Sequence, residues 1–326
     1  GDLGMFRTHR HIIDFIVSIV EPTKDDRILD PACGTAGFLI SAYKYILNQN
    51  LDDNGKSNLT FDEKNTVLKN INGYDIAPSM VKISEMNLFL HGASKPKIYE
   101  YDTLTSDDKW GDKYECILAN PPFMTPKGGI VPHNKFIVKS SKSEILFVDY
   151  IANHLTSQGK AGIIVPDGVV FKQDKAFMNV RKDLVENSLW GVVSLPGGIF
   201  QPYAGVKTNI LLLDKKISKE KDSIIFVELN NDGYSLTTQR KPISGSEIPG
   251  LTNELLSYKK NGDSSQYITK VSKDKIKENN YDLSINKYKK RKQIEESNIE
   301  SSTVILERLF KNCNEYQQLV TKMRDI

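Results

Sequence analysis

The sequence predicts an α/β protein in which a mostly parallel sheet is covered by helices. From about residue 10 to residue 229, short apolar runs alternate with longer stretches that carry apolar residues at helical spacing. The short runs have the continuous apolar character that is typical of strands buried on both faces. Strands and helices in alternation favour parallel pairing through right-handed crossovers.

Six apolar runs predict strands, and four amphipathic stretches predict helices. The strands, in chain order, are Arg27–Asp30, Ile71–Asp75, Cys116–Ala119, Ala161–Pro166, Trp190–Leu195 and Asn209–Leu213. The helices are Gly37–Asn48, Ser79–His91, Ser143–Leu155 and Lys175–Asn187. Between the first helix and the second strand, Asn48–Asn70 is polar and contains Gly, so we expect an insertion there.

The alternation weakens after Asp214. One more strand is predicted over Ile224–Leu229, and Asn230–Asn280 is polar, rich in Lys and Ser, and weakly periodic. We therefore expect a first domain over residues 1–229 and a C-terminal helical extension over residues 230–326. The last predicted helix has a heptad stripe made of Leu306, Leu309, Cys313, Tyr316, Val320 and Met323. This stripe either packs on its own domain or makes a helical contact with another chain.

Composition excludes several classes of protein. Lys and Arg number 44 and Asp and Glu 41, and a net charge of +3 does not by itself indicate or exclude nucleic-acid binding. With 39% apolar and 26% charged residues, the chain is not disordered, collagen-like or disulfide-stapled. Its apolar runs, such as Ile210–Leu213, are far shorter than the ~20 residues that span a membrane. The sequence starts at Gly1 and no charged-then-apolar leader follows, so we expect a trimmed chain. Its three cysteines indicate reduced thiols in a cytoplasmic protein.

The first predicted strand runs directly into the loop Asp30-Pro-Ala-Cys-Gly-Thr-Ala-Gly-Phe-Leu39, which opens a helix. The carboxyl end of a first parallel strand is a ligand-binding position, and Gly34 and Gly37 allow a ligand to approach the backbone. The loop does not match the dinucleotide pattern G-x-G-x-x-G. Its carboxylate, Asp30, would repel a pyrophosphate and favour a cationic ligand that carries an ammonium and a sulfonium. The alternative is a simple tight turn.

Two further acids follow predicted strands. Asp75 ends the second strand, where a carboxylate typically accepts hydrogen bonds from both hydroxyls of a ribose. Its alternative role is to cap the helix that starts near Ser79. Asp102 follows Lys97–Tyr101 and is positioned to accept a hydrogen bond from the exocyclic amine of an adenine, or it is an ordinary loop residue.

The motif Asn120-Pro-Pro-Phe123 follows the next strand. The Asn120 side-chain oxygen and the Pro121 carbonyl supply two acceptors, the prolines fix the backbone, and Phe123 adds a flat apolar face. This combination suits a planar base with an exocyclic amino group. The alternative, a proline-rich turn, is disfavoured by the Asp30 loop and by Asp75.

The segment that follows the motif is basic. Met124–Ser143 has four lysines, Lys127, Lys135, Lys139 and Lys142, and no acidic residue. We expect these lysines to contact nucleic-acid phosphates, the alternative being a solvated loop.

At these motifs the sequence resembles the S-adenosylmethionine-dependent amino-methyltransferases, in particular the modification subunits of type I restriction–modification systems, which methylate adenine N6 in DNA. Gly4–Arg10 is similar to the family's G-x-F-x-T-P, and the Asp30 loop to D-P-A-C-G-S-G-G-F-L. Asn87–Gly92, Asn120–Phe123 and Asn280–Tyr288 also match family stretches. The sequence departs from the pattern at His9, in place of proline, and at Ala36, in place of glycine.

The resemblance implies a Rossmann-like methyltransferase fold, S-adenosyl-L-methionine as cofactor and a flipped adenine as target. It places Phe6 and Thr8 against the cofactor, with Asp75 at its ribose and Asp102 near its adenine. Asp30 and the backbone from Gly34 to Gly37 would serve its methionine end. The other cofactor-binding candidates are Thr35, Phe38, Ile76 and Asn120, and the catalytic residues would be Asn120, Pro121, Pro122 and Phe123.

The resemblance also implies partners: DNA, a specificity subunit and, in the full complex, a restriction subunit, all in the cytoplasm and without a membrane. The family's helical N-terminal domain is absent from the sequence, so we expect a fragment. Two alternatives remain. The same chemistry could act on RNA or on a protein glutamine, or the chain could be a catalytically silent cofactor-binding scaffold.

Overall fold

A nine-stranded sheet organises the computed structural model, which describes residues 8–123, 125–201, 205–263, 265–289 and 310. The strands are β1 (Ile28–Asp30), β2 (Ile71–Asp75), β3 (Lys97–Glu100), β4 (Tyr114–Ala119), β5 (Leu155–Pro166), β6 (Leu189–Ser194), β7 (Thr208–Asp214), β8 (Ser223–Glu228) and β9 (Thr269–Ser272). Their order across the sheet is β3-β2-β1-β4-β5-β7-β6-β8-β9. All seven strands predicted from apolar runs are present.

Most neighbouring strands are parallel, as predicted. β3, β2, β1, β4 and β5 pair in parallel, and so do β6 and β8. β7 lies antiparallel between β5 and β6, and β9 pairs antiparallel with β8 at the edge. The chain therefore forms a doubly wound sheet whose strand order changes direction between β1 and β4, which is the position where such sheets bind ligands.

Helices cover both faces of this sheet. They are α1 (Arg10–Val20), α2 (Gly37–Gln49), α3 (Phe61–Lys69), α4 (Pro78–Leu90), α5 (Ser143–His154), α6 (Gly168–Phe171), α7 (Lys175–Asn187), α8 (Lys215–Glu220), α9 (Ile248–Asn261), α10 (Lys273–Glu278) and α11 (Ile285–Tyr288). Alternate residues of β4 enter opposite cores, Cys116 and Leu118 on one face and Ile117 and Ala119 on the other. This two-sided burial explains why the strands have continuous apolar sequences.

Three parts of the chain differ from the sequence-based expectation. α1 was not predicted, yet its apolar residues are almost all buried and it packs on α2 and β5. The expected insertion Asn48–Asn70 contains α3, whose first turn has a capping box between Thr60 and Glu63. The weakly periodic stretch 230–280 contains α9, β9 and α10. Their contacts with the sheet are formed by residues far apart in sequence, which local periodicity does not report.

The compact unit that contains the sheet ends at Tyr288, and a second unit runs from Lys289 to Ile326. β9 brings part of the expected C-terminal extension into the sheet, beyond the proposed boundary at residue 229. The family-like stretch Asn280–Tyr288 is also anchored there, because the buried Arg181 donates to the Tyr281 carbonyl at 2.7 Å. The predicted heptad helix over residues 306–323 lies outside the described residues.

Candidate functional site

The candidate site lies where four parallel strands end. Asp30 is the last residue of β1, Asp75 is the last residue of β2, and Asp102 and Asn120 follow β3 and β4. Because these strands run in parallel, their carboxyl ends meet at one edge of the sheet. The fold thus brings together the three acids and the asparagine that the sequence singled out.

The loop after β1 is tightly turned. Gly34 and Ala36 have positive φ angles of 51° and 63°, and the Ala36 amide donates to the Cys33 carbonyl at 2.8 Å. Ala36 is therefore a non-glycine residue in the left-handed region, at the position where the family pattern has glycine. The loop accommodates its Cβ, and the strained backbone at Ala36 leads into α2.

Helix α4 holds this loop from the outside. The Ser84 hydroxyl donates to the Gly34 carbonyl, and Asn87 Nδ2 donates to the Thr35 carbonyl at 2.9 Å. A spacing of three residues puts both side chains on one face of the helix. The sequence analysis missed Ser84, although the S-x-x-N spacing ahead of the family-like stretch at Asn87 was a signal that could have found it.

The neighbouring loops are tied to the same turn. The Cys33 amide donates to the Tyr74 carbonyl at 2.8 Å, and the buried Thr103 hydroxyl donates to the Pro31 carbonyl at 2.7 Å. Thr103 is a second residue that the sequence analysis missed. Asp102 uses Oδ1 in its own turn, where it accepts from the amides of Leu104 and Thr105.

Asp75 is held by backbone donors on both carboxylate oxygens. Oδ2 accepts from the Gly34 amide at 3.0 Å and Oδ1 accepts from the Ala77 amide at 2.8 Å. Helix α4 begins at Pro78 with Ala77 as its N-cap, so Asp75 is not the helix cap. Each oxygen keeps a lone pair for a further donor. The next residue, Ile76, is 69% exposed and offers an apolar surface beside the carboxylate.

The two acids create an unusual electrostatic environment. Asp30 is 2% exposed, and burial, with a smaller effect from the Asp75 carboxylate, raises its pKa to about 8. Burial also raises the pKa of Asp75. In the described part of the chain, neither carboxylate forms an ion pair. A bound cation would therefore stabilise the ionised carboxylates, whereas a pyrophosphate would be repelled.

Asn120 has one satisfied and one unsatisfied amide atom. Its Nδ2 donates to the Thr8 hydroxyl at 2.8 Å, while Oδ1 is buried with no hydrogen-bond partner among the residues that the structure describes. A buried polar atom without a partner is uncommon and calls for an explanation, and an acceptor placed at a ligand site is one such explanation. In this orientation the amide nitrogen contacts Thr8, and the amide oxygen is left without a partner among the described residues.

Aromatic and proline side chains border this oxygen. Pro121 is buried and Phe123 is half-buried. The Phe123 ring lies edge-on to the Phe200 ring, with 6.1 Å between the two ring centroids. Phe200 and Ile199 follow β6 and are buried, and the sequence analysis missed the contact between Phe200 and Phe123. The N-terminal His9, the departure from the family's proline, stacks on His11 with ring centroids 5.7 Å apart.

The remaining predicted site residues have mixed surroundings. Phe38 is 4% exposed and packs in the core, and the Gly37 carbonyl accepts from Arg10 at 3.0 Å. Phe6 lies outside the described residues.

Cys33 and Cys116 are buried free thiols, and burial raises the pKa of both, so they are poor nucleophiles. Among the described residues there is no metal-binding cluster and no helix long and apolar enough to cross a membrane.

Comparisons with known proteins point in the same direction. The family model described as N-6 DNA Methylase matches residues 1–297. The methylase subunit of the type I restriction enzyme EcoEI, from Escherichia coli, is 28% identical over 293 residues, which cover 87% of this chain and 58% of that protein.

Solved structures share the fold. The type I restriction–modification methyltransferase subunit from Streptococcus thermophilus superimposes with a TM-score of 0.71 at 20% identity, over 89% of this chain and 60% of that chain. A second chain comes from a structure that concerns complex assembly and conformational transition of the type I R-M system. It gives a TM-score of 0.72 at 25% identity, over 98% of this chain and 65% of that chain. This chain spans less than two thirds of each of these proteins. The predicted Rossmann-like methyltransferase fold is confirmed.

Proposed function

This chain belongs to the N-6 DNA methylase family, and we propose that it catalyses methyl transfer to adenine N6 in DNA. The proposal extends to its biological setting, the modification subunit of a type I restriction–modification complex. The similarity to EcoEI methylase supports this setting, because it extends over 87% of the chain.

The observation that carries the proposal is the free oxygen of Asn120. A buried acceptor, oriented by Thr8 and flanked by Pro121 and Phe123, suits the amino group of a planar base. This proposal is supported by the common sheet edge at which β1, β2 and β4 end, close to Asp30, Asp75 and Asn120 in the chain. A donor and an acceptor of a methyl group would thus meet at the point where the strand order reverses.

The chemistry of the target explains why acceptors are needed. The lone pair of an adenine amino nitrogen is delocalised into the ring, so this nitrogen is a weak nucleophile. Hydrogen bonds from N6 to Asn120 Oδ1 and to the Pro121 carbonyl favour a pyramidal nitrogen with a localised lone pair. The same oxygens stabilise the positive charge that grows on N6 as it is methylated, and each such group is typically worth about 10²–10³ in rate.

The target base must leave the duplex to reach this site. Stacked bases are inaccessible, so the adenine would be flipped out, and the Phe123 ring provides an apolar face on which it can stack. Pro121 and Pro122 have fixed φ angles and hold the two acceptors in place. The protein needs no covalent nucleophile, which agrees with the buried, protonated state of both described cysteines.

The acids fit S-adenosyl-L-methionine as cofactor. When bound, this cofactor supplies an electrophilic methyl group on a sulfonium. Asp75 would accept from the ribose hydroxyls with the lone pairs that its backbone donors leave free, and Ile76 would cover the adenosine. Asp30, with the Gly34–Gly37 turn, would serve the cationic methionine end, and Asp102 would lie near the adenine amine.

Two alternatives use parts of the same site. An RNA or a protein glutamine presents an amino group of similar chemistry, but the family match over residues 1–297 favours DNA. A silent scaffold would not need the unsatisfied Asn120 oxygen. We also propose a specificity subunit as the partner that selects the DNA site, together with a restriction subunit in the full complex, in the cytoplasm.

The test is methyl transfer from labelled S-adenosyl-L-methionine to DNA, with and without the specificity subunit of the proposed complex, followed by identification of the modified base. We expect N6-methyladenine. Asn120→Ala should lower turnover about 10²–10³-fold and leave cofactor affinity nearly unchanged, because its oxygen acts mainly in the transition state. Label in RNA or protein instead of DNA, or an active Asn120→Ala variant, would contradict the proposal.

A further inference from the structure

The segment 125–143, which we call the post-motif loop, leaves and returns to the base pocket. It begins two residues after Phe123 and ends at the start of α5. Its two ends are joined, because the Ser143 amide donates to the Thr125 hydroxyl at 3.1 Å and the Ile130 amide donates to the Ser141 carbonyl at 2.9 Å. The loop is therefore a closed excursion whose base lies beside the catalytic motif.

The post-motif loop is anchored along its length. Phe136 and Val138 are buried, and the Phe136 ring packs on Trp110 at 4.9 Å. The His133 ring lies edge-on to Trp110 at 4.5 Å, and its amide donates to the Leu104 carbonyl at 3.2 Å. These contacts hold the middle of the loop against the body of the protein.

Two side chains project outward from this anchored frame. Val131 is 86% exposed and Ile137 is 81% exposed, and they are the two most exposed large apolar side chains in the described part of the chain. Ile137 lies between the buried Phe136 and Val138, so its outward direction is set by its neighbours. Both residues are β-branched and have few rotamers to lose when they insert into another surface.

The loop that carries these two tips is rich in lysine. The post-motif loop has no acidic residue, and its Lys127, Lys139 and Lys142 are exposed, with no ion pair to any described residue. Lys135 differs, because it is paired with Asp107 at 3.0 Å. A loop with apolar tips and unpaired lysines matches the surface of a nucleic acid, which has an anionic backbone around an apolar stack of bases.

We infer that Val131 and Ile137 form an apolar wedge that enters the DNA duplex at the space left by the flipped adenine, while the free lysines of the loop hold the flanking phosphates. The inference rests on the proposed function, since it requires a flipped base. Removing a base from the stack costs a few kcal/mol, and apolar side chains inserted between base steps offset that cost in other DNA-bending proteins. The position of the loop, directly after the motif that receives the base, suits this role.

The wedge can be tested separately from binding and from chemistry. The methylated sequence is first read from plasmid DNA that has been exposed to the wild-type chain with its specificity subunit. Methylation is then measured on two short duplexes, one fully paired and one in which the target adenine faces an abasic site and needs less energy to flip. The variants are Val131→Ser, Ile137→Ser and the double variant. Leu51→Ser, at another exposed apolar residue, is the matched control.

We expect the double variant to methylate the paired duplex about ten-fold more slowly than wild type, with DNA affinity little changed. On the abasic duplex its rate should return to within about three-fold of wild type. A 2-aminopurine in place of the target adenine should show a smaller fluorescence increase with the double variant than with wild type or Leu51→Ser.

Several results would overturn the wedge. Wild-type rates on the paired duplex, or a loss that the abasic duplex does not rescue, would show that these side chains do not assist flipping. Loss of association with the specificity subunit would assign the tips to a protein contact. If wild type methylates no DNA, the proposed function fails and the wedge with it. If wild type is active and the variant matches it, the wedge alone fails.

Discussion

One hydrogen bond links the side chain of Asn120 to the N-terminal part of the described chain. The Thr8 hydroxyl accepts from Asn120 Nδ2 at 2.8 Å, and this contact joins residues 112 positions apart in the sequence. An amide that could rotate would present a donor to the adenine amino group for part of the time. We propose that Thr8 positions this amide, in addition to being a candidate cofactor contact.

Replacing Thr8 tests this role. Thr8→Val keeps the shape of the side chain but cannot accept the hydrogen bond, so we expect kcat to fall about ten-fold or more. Thr8→Ser keeps the hydroxyl and should restore most of the rate. Cofactor affinity, measured by calorimetry for both variants, separates a positioning effect from a binding effect. Equal impairment of the Val and Ser variants would exclude the hydroxyl as the cause.

We expect Asp30 to make cofactor binding depend on pH. Because its pKa is raised to about 8, the free protein carries a protonated Asp30 near neutral pH, and a bound cation would favour the ionised form. Binding should therefore release a proton below about pH 8, and affinity should rise as the pH increases from roughly 6 to 7.5. Calorimetry in buffers of different ionisation enthalpy measures the released proton.

Asp30→Asn is the control for this titration. The variant should release no proton at this position, and its affinity should lack the corresponding pH dependence. In the ligand-free protein, Asp30 also makes the free energy of unfolding depend on pH. Because its pKa is higher in the folded chain than in the unfolded chain, its contribution to stability is fully present below the unfolded pKa and is lost as the pH rises toward 8. If the wild-type protein released no more protons on cofactor binding than Asp30→Asn does, the proposal that Asp30 contacts the cationic part of the ligand would be wrong.

Ala36 stores backbone strain in the loop after β1. With φ at 63°, it occupies a conformation that costs a residue with a Cβ roughly 1–2 kcal/mol. Ala36→Gly should raise the free energy of unfolding by about 0.5–1 kcal/mol, after the greater entropy of an unfolded glycine is subtracted. Urea denaturation measures the change. Ala42 is a buried helical alanine in α2, so Ala42→Gly should instead lower the free energy of unfolding by about 1 kcal/mol. A similar loss of stability in Ala36→Gly would show that the backbone at Ala36 is not strained.

At the scale of elements, the post-motif loop has a charge pattern that the structure refines. The sequence suggested four phosphate-binding lysines, and the structure pairs one of them, Lys135, with Asp107. Three exposed lysines remain without an ion pair to the described residues: Lys127, Lys139 and Lys142. These three, rather than all four, are the candidates for phosphate contact.

The salt dependence of DNA binding counts such contacts. Changing the three lysines to Gln should reduce the slope of log affinity against log salt by roughly 2–3 for the assembled complex. The same change at Lys56, Lys95 and Lys277, which are exposed elsewhere, should leave the slope unchanged. An equal slope for both triple variants would make the post-motif loop an ordinary solvated loop.

At the scale of the whole molecule, the chain has little net positive charge with which to bind DNA alone. Its net charge is only +3, and we propose that a specificity subunit supplies the sequence recognition. The predicted heptad stripe at Leu306–Met323 is the proposed docking element, because exposing that apolar stripe to water would cost ~25 cal/mol per Å². It belongs to the unit that begins at Lys289, separate from the unit that holds the sheet.

Deleting residues 301–326 tests this docking element. We expect co-purification with the specificity subunit to be lost, and cofactor binding to be retained because the candidate cofactor residues precede Tyr288. Calorimetry with S-adenosyl-L-methionine checks that the shortened chain is folded. Undiminished assembly after the deletion, or site-specific methylation by the isolated chain, would refute the proposal.

The sequence alone determined what depends on local pattern. β2 occupies the predicted Ile71–Asp75 and α7 the predicted Lys175–Asn187, because continuous apolar runs and helical spacing report burial directly. The loop at Asp30, Asp75 and the motif at Asn120 were also recognisable, since each follows a strand and parallel strands end at a common edge. The family followed from the same motifs.

Only the tertiary structure decided what depends on partners distant in sequence. β9 pairs with β8, a strand distant in sequence, and its own sequence gave a weak signal. The apolar face of α1 is present in its own sequence, but its packing on α2 and β5 is seen only in the structure. Ser84 and Thr103 acquire their roles from carbonyls 50 and 72 residues away. The contact between Thr8 and the Asn120 amide joins residues 112 positions apart. A hydrogen bond between distant residues leaves no periodic trace in a sequence, so only the folded chain brings Thr8 to the proposed acceptor Asn120.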